Sequence, residues 1–346
     1  MPSIAPDPRV LIVDADDAIA FAAAIDEAAA AIRRGGLVAF PTETVYGLGA
    51  NALSVAAVLR IFAAKGRPAF NPLIVHVADV SEVTRVARSV PPLARELAAA
   101  FWPGPLTLVL PRTEAISDAV TAGLDSVGVR VPAHPVARAL IERSAVPIAA
   151  PSANAFTRVS PTTASHVVAQ LGAAVDLVLD GGPTAVGIES TVVDLTGARP
   201  TLLRLGGVPR EALERVTGPL EPVRAGPSGD APRPAPGMLE RHYAPNARLI
   251  GFASSQRTEI WARADALVRE GTRVGVLAFD VTAATATYRV RLPCESTGYA
   301  RALYAALHAL DDAACSVAFV EELPRSADWE AIADRLRRAG LVADGS

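Results

Sequence analysis

Five short polar segments interrupt otherwise apolar sequence between residues 41 and 204, and each has side chains suited to holding a charged small molecule. The first is Pro41-Thr42-Glu43-Thr44-Val45-Tyr46-Gly47-Leu48-Gly49, with two hydroxyls, a carboxylate and a phenol between a strand and a helix. Its GLGANA string matches a loose dinucleotide fingerprint. However, the glycines lie too far past the strand, and no acidic residue follows at the distance of a ribose contact. An ordinary strand-to-helix turn accounts for it equally well. The second is Lys65-Gly66-Arg67-Pro68, followed by Asn71-Pro72 and a strand ending at His76. Two cations around a glycine let backbone and charge approach an anion together, and a phosphate is the natural guest. A solvated loop is the plain alternative, and His76 alone fits a histidine satisfied at a strand end.

The third segment, Thr121 to Ser126, leads into Val127-Gly128-Val129-Arg130-Val131. An arginine inside an apolar strand needs a partner, because an unpaired buried charge is very costly. Asp125, Glu43 or the carboxylate of a bound substrate would each serve. The fourth, Ala149-Ala150-Pro151-Ser152-Ala153-Asn154, extends through Arg158, Ser160 and Thr162. Small residues leave room and hydroxyls donate. Ser160-Pro161-Thr162 fits a helix cap, and a helix N-terminus also binds phosphate. The fifth, Gly187-Ile188-Glu189-Ser190-Thr191, runs into a strand, and Arg204 ends the next one. There is no GxxxxGK[ST] loop, no nucleophile elbow, no kinase signature and no metal-ligand cluster. ATP, if it binds, must be held by Lys65, Arg67, Arg130, Arg204 and serine hydroxyls.

The elements around these segments are legible from periodicity. A helix is predicted from Asp17 to Arg34, stopped by Gly35-Gly36, and another from a Ser54 cap to about Ala64. Short helices are predicted near 81–89, 92–100, 135–143 and 162–171. Strands are predicted at 37–40, 73–77, 106–110, 127–131, 147–150, 177–180, 191–194 and 202–204. PTETVYGLGANA reads as a loop. Strands cluster rather than alternate strictly with helices, which predicts an α/β domain with a mixed sheet. Between Pro209 and Pro245 proline, glycine and arginine dominate, reading as an extended linker. Beyond it, strands at 247–252, 273–278, 288–292 and 316–320 with helices at 257–270, 299–312 and 328–338 predict a smaller Rossmann-like unit. The division is therefore 1–209, 210–246 and 247–346.

Composition narrows the classes. With 51% hydrophobic but only 5% aromatic residues, the cores must be packed by alanine and aliphatics. The formal charge of −3 argues against holding nucleic acid by bulk electrostatics, though a local basic pocket remains compatible. Two isolated cysteines, Cys294 and Cys315, predict neither a disulfide framework nor a cysteine-rich zinc site, and fit a reducing cytoplasm. No basic-then-apolar leader and no apolar run of about 20 residues is present.

Taken in series, PTETVYGLGANA, KGRP with NPLIVH, FWPGPLTLVL, TAGLDSVGVRVPAHP, PIAAPSAN, SPT, DGG, GIEST and LLRLG resemble the YrdC-like family of threonylcarbamoyl-AMP synthases over about residues 20–209. Pro236-Gly237-Met238 and Arg241-His242-Tyr243-Ala244-Pro245 resemble the element marking the long form with a C-terminal domain. The ending, Ser326 to Leu336, only partly matches. The resemblance implies a concave, positively charged cavity over a mixed twisted sheet. It also implies a reaction: L-threonine, bicarbonate and ATP give threonylcarbamoyl-AMP and pyrophosphate, after which a separate transferase complex modifies a tRNA adenosine. Carried onto matching positions, Arg130 would take the threonine carboxylate, with Thr42, His76, Ala150 and Ser190 around the amino acid. Lys65 and Arg67 would face the phosphates. Ser126, Ser152, Asn154, Ser160 and Arg204 would hold the nucleotide, and Tyr243 would close over it as a lid. Mg²⁺ is expected with ATP, held by phosphates and water rather than by protein side chains. Two other readings are a module binding double-stranded RNA or ribosomes, against which the net charge argues, and a hydrogenase-maturation carbamoyltransferase, whose CxxC sets are missing.

Overall fold

A computed structural model describes residues 8–221, 231–238, 241–282 and 285–343. The chain divides into two compact units. The first comprises Met1–Phe156, Ser160–Ala185 and Glu189–Met238; the second comprises Thr157–Val159, Val186–Ile188 and Leu239–Ser346.

The first unit is built on a ten-stranded sheet. Its strands are β1 (Arg9–Ile12), β2 (Val38–Pro41), β3 (Tyr46–Asn51), β4 (Ile74–His76), β5 (Leu106–Pro111), β6 (Ser126–Arg130), β7 (Ile148–Ala149), β8 (Leu177–Asp180), β9 (Thr191–Asp194) and β10 (Thr201–Arg204). Their order is β1-β8-β2-β3-β7-β4-β6-β5-β9-β10. The sheet is mixed: β4 and β6 are parallel, as are β5 and β9, while β2 with β3 and β5 with β6 are antiparallel. The predicted α/β mixed sheet is therefore present. The helices are α1 (Ala18–Arg33), α2 (Val55–Lys65), α3 (Pro92–Phe101), α4 (Asp118–Thr121), α5 (Pro135–Ser144), α6 (Ala164–Leu171) and α7 (Arg210–Thr217).

Local chemistry explains most boundaries. The Ser54 side chain accepts from the Ala57 amide at 3.3 Å and opens α2; Gly66, with φ +61°, closes it and turns the chain toward Arg67. The residues near 81–89 form a 3-10 turn, Val80–Arg85, rather than an α-helix. Two further expectations are corrected. PTETVYGLGANA is not all loop, because its second half is β3. Its Gly49 is demanded by packing, since a Cβ there would lie 2.6 Å from the Phe40 ring and 2.8 Å from Ile148. Residues 210–217, read as part of an extended linker, form α7, which opens after Pro209 and packs on α3. Residues 222–230 and 239–240 of that linker lie outside the described residues.

The second unit carries β11 (Arg248–Phe252), β12 (Val274–Ala278), β13 (Tyr288–Arg291), β14 (Val317–Glu321) and β15 (Val342–Ala343). They form an all-parallel sheet in the order β13-β12-β14-β11-β15, with α8 (Arg257–Arg269), α9 (Ser296–Asp312) and α10 (Glu330–Arg338) connecting them. The periodicity beyond residue 246 predicts this Rossmann-like unit nearly element by element. No helix among the described residues is long and apolar enough to cross a membrane.

One backbone contact in the first unit yields a test. A Cβ at Gly206 would sit 2.3 Å from the Glu189 carbonyl oxygen and 2.5 Å from the Ser190 carbonyl carbon. Neither neighbour is a side-chain end that can swing away. Gly206→Ala should destabilise the first unit by about 1–3 kcal/mol, read as a lower denaturant midpoint. An unchanged midpoint would show that this turn can relax freely.

Candidate active site

Five adjacent strands bring polar groups to one end of the first sheet's strands. His76 and Arg130 end the parallel strands β4 and β6, and the register pairs them directly. Residues paired in this way project to the same face. Antiparallel β5 starts at that end, so Thr107 lies there, and parallel β9 begins at Thr191, with Ser190 just before it. Antiparallel β10 ends there with Arg204.

Arg130 is 4% exposed, and the structure chooses its partner. Its Nη2 donates to Glu43 Oε1 at 2.7 Å and its Nε to the Gly104 carbonyl at 3.2 Å. The other Glu43 oxygen accepts from the Ala133 amide at 3.0 Å. Asp125, the alternative, is spent on exposed Arg88 at 2.6 Å. The hydrogen bonds of Arg130 to described residues use Nε and Nη2, and Nη1 makes none to them. Beside it, burial and the Arg130 charge push the His76 pKa down to about 3. The imidazole is thus neutral at pH 7, and its Nδ1 has no hydrogen-bond partner among the described residues.

Thr42 shapes the turn that presents Glu43. Its hydroxyl donates to the Val45 carbonyl at 2.6 Å and lies 2.8 Å from the Thr44 hydroxyl. Tyr46 anchors the strand after the turn by donating to the Gly182 carbonyl at 2.7 Å. Burial, with Asp180 nearby, raises its pKa above the usual phenol value.

Lys65 is 3% exposed and donates to the carbonyl oxygens of Ser152, at 2.5 Å, and Asn154, with the Asn154 side-chain oxygen at 3.5 Å. Burial, with Arg67 close by, holds its pKa well below the usual lysine value. Arg67 donates to the Asn71 and Pro72 carbonyls at 3.2 and 2.8 Å. The Ser152 hydroxyl donates to the Asn154 side chain, and Ser152 bridges Gly47, which ties this loop to β3. Ala150 lies at the base of the same loop, its amide donating to the Ile74 carbonyl at 2.9 Å.

A third cluster joins Thr107, Ser190 and Arg204. The two hydroxyls are 2.8 Å apart, and Arg204 donates to the Ser190 hydroxyl at 2.9 Å, the Ser190 carbonyl at 3.0 Å and the Pro236 carbonyl at 3.2 Å. Ser160 donates to buried Glu189 at 2.7 Å. The described linker segment 231–238 packs here. The Arg233 guanidinium lies over the Phe70 ring, 4.8 Å from its centroid, and Ala235 and Met238 join a cluster with Val109, Val192 and Leu203.

One predicted residue lies away from this end of the first unit's sheet, and another belongs to the second unit. Ser126 starts β6 opposite Pro111, four residues and about 13 Å of strand away from Arg130. Tyr243 belongs to the second unit, where it is buried at φ +62° against Tyr304, with ring centroids 5.7 Å apart, and under the Arg335 guanidinium. Sequence reasoning did not single out Thr107, Gly104 or the Pro236 carbonyl. Only Thr107 had a signal, as the lone hydroxyl within Leu106-Thr107-Leu108-Val109-Leu110. Among the described residues, no group of three or more histidine, cysteine or acidic side chains is placed to hold a metal ion.

The neutral buried histidine has a consequence for stability. An unfolded histidine titrates near 6.5, whereas His76 in the fold resists protonation until about pH 3. Its contribution is therefore fully present above about pH 6.5 and is lost as the pH falls from there toward 3. The denaturant midpoint of the wild type should fall over this range more steeply than that of His76→Gln. Parallel curves would refute the assignment.

Both units of the chain match known proteins. A family model described as "Telomere recombination" matches residues 30–206, and one described as "Threonylcarbamoyl-AMP synthase, C-terminal domain" matches residues 208–340. The threonylcarbamoyl-AMP synthase of Pyrococcus abyssi is 46% identical over 90% of this chain and 92% of its own length. That of Bacillus subtilis is 44% identical over 91% and 92%. The crystal structure of P. abyssi Sua5 complexed with L-threonine superimposes with a TM-score of 0.89 at 43% identity, covering 96% of this chain and 99% of that one. With both of its units matched, the chain belongs to the threonylcarbamoyl-AMP synthase family, in the form that carries the additional C-terminal domain.

Proposed function

We propose that this protein is an L-threonylcarbamoyl-AMP synthase. The threonine amine takes up the carbon of bicarbonate with loss of water. An oxygen of the resulting carbamate then attacks the α-phosphorus of ATP, and pyrophosphate leaves. The observation that carries this reading is the gathering of Lys65, Arg67, Arg130 and Arg204, all buried, around the strand ends and loops of one unit. Such an array suits two anions that must meet, a carboxylated amino acid and a triphosphate. Little covalent work is left to side chains in this chemistry, so positioning and charge stabilisation dominate.

In this reading Arg130 binds the threonine carboxylate through Nη1. His76, neutral and with an open Nδ1, accepts a hydrogen bond from the amino acid, and Thr42, Ala150 and Ser190 bound its space. Arg67 and Arg204, with Ser152, Asn154 and Ser160, line the nucleotide side. The Lys65 ammonium is committed to loop oxygens, so it acts on phosphate through its field and by shaping the Ser152–Asn154 loop. Mg²⁺ enters with ATP as part of the substrate, held by phosphates and water. The role of Tyr243 as a lid rests on the resemblance of its motif, and exclusion of water would protect an acyl adenylate from hydrolysis. The product would pass to a tRNA threonylcarbamoyl transferase in the cytoplasm.

Pyrophosphate release from ATP should require threonine and bicarbonate together, with a product of threonylcarbamoyl-AMP mass. Turnover that ignores threonine would overturn the reading and leave RNA binding as the next hypothesis. Within the active enzyme, Arg130→Ala should raise the threonine KM roughly 10- to 100-fold and leave the ATP KM within a few-fold. An unchanged threonine KM would remove Arg130 from the amino-acid site.

A further inference from the structure

Two buried cations of the first unit, Arg130 and Lys65, are held differently: Arg130 is paired with the Glu43 carboxylate. Among the described residues Lys65 meets neutral oxygens only, from Ser152 and Asn154. Neutral dipoles stabilise a cation without cancelling its charge, whereas an ion pair at 2.7 Å cancels most of the field felt at a distance. Both members of the pair are shielded from water, with side chains 5% and 10% exposed. The carboxylate is itself fixed by the Ala133 amide and the guanidinium by the Gly104 carbonyl. The pair is thus oriented from both sides.

We propose that Glu43 is a positioning residue that dedicates Arg130 to the monoanionic carboxylate of threonine and keeps polyphosphate off it. This rests on the reading of Arg130 given above. Glu43 holds the guanidinium by Nη2, so Nη1 is offered in a fixed direction, which suits one carboxylate oxygen. A pre-neutralised arginine gives a polyphosphate no net charge to approach, and Glu43 repels it. The triphosphate is thereby directed toward Lys65, which is held by neutral oxygens. The acid and the phosphate of one reaction are sorted by a single buried carboxylate.

The test uses the full-length enzyme and inorganic pyrophosphate as the probe. In the wild type, pyrophosphate should compete with ATP and not with threonine. Glu43→Gln keeps the size but removes the charge; its threonine KM should rise about tenfold, and pyrophosphate should become competitive with threonine. Glu43→Asp shortens the side chain but keeps the charge. It should raise the threonine KM while retaining the wild-type inhibition pattern, and it serves alone should Glu43→Gln not fold. An unchanged threonine KM in both variants, or a wild-type pyrophosphate pattern in Glu43→Gln, overturns the proposal. Failure of Arg130→Ala to alter the threonine KM would instead overturn the underlying reading of Arg130, so the two failures are distinguishable.

Discussion

Burying positive charge is the constraint that organises the first unit. Lys65, Arg67, Arg130 and Arg204 are each less than 8% exposed. Removing such ions from water costs several kcal/mol apiece even after relaxation, and the fold must offset that with well-aimed acceptors. Most of those acceptors are backbone carbonyls of turns: Ser152 and Asn154 for Lys65, Asn71 and Pro72 for Arg67, Gly104 for Arg130, Ser190 and Pro236 for Arg204. This helps to explain why proline and glycine accompany the charged motifs. These carbonyls lie outside the strands and face a cation, where a continuing ladder would have consumed them.

The sheet topology makes the arrangement possible. Parallel β4 and β6 bring His76 and Arg130 to one end of the strands, and the antiparallel strand on either side of the β5–β9 pair reverses direction so that Thr107, Ser190 and Arg204 arrive at the same place. An all-parallel sheet would have needed a helical crossover between each of these strands. The mixed sheet packs five contributions into adjacent positions. Close backbone approaches, such as Gly206 against Glu189 and Ser190, then fix the third cluster without a side chain between.

Much of this was legible in the sequence, and the reasons for the rest are physical. Apolar runs bounded by proline and glycine marked nearly every strand, and the regular alternation beyond residue 246 marked the second unit. β3 was missed because YGLGAN carries two glycines, which read as turn signals. Gly49 at least is required by packing, with the Phe40 ring and Ile148 pressing on the strand. The helix at 210–217 was hidden by the proline-rich stretch after it, although REALERVT holds good helix formers once Pro209 has set the first turn. The partner of Arg130 could not be chosen between Asp125, five residues away, and Glu43, eighty-seven away, because only the folded sheet brings the latter to 2.7 Å. Ser126 and Arg130 share one strand, yet a strand's rise separates its ends. A motif read as a string does not show that.

On the proposed reading of the site, the different partners of Arg130 and Lys65 also bear on the order of events in the cavity. A site of uniform positive potential would bind the triphosphate wherever it first arrived, including over the threonine subsite. Neutralising one arginine and leaving Lys65 among neutral oxygens creates a gradient, with a weakly charged, highly directional end and a strongly charged end. His76 strengthens the contrast, since an imidazole that stays neutral down to about pH 3 adds hydrogen-bonding capacity but no charge to the amino-acid end. On that reading a carbamate formed at that end would carry two negative charges and no ammonium, and the gradient would draw it toward the phosphates it must attack.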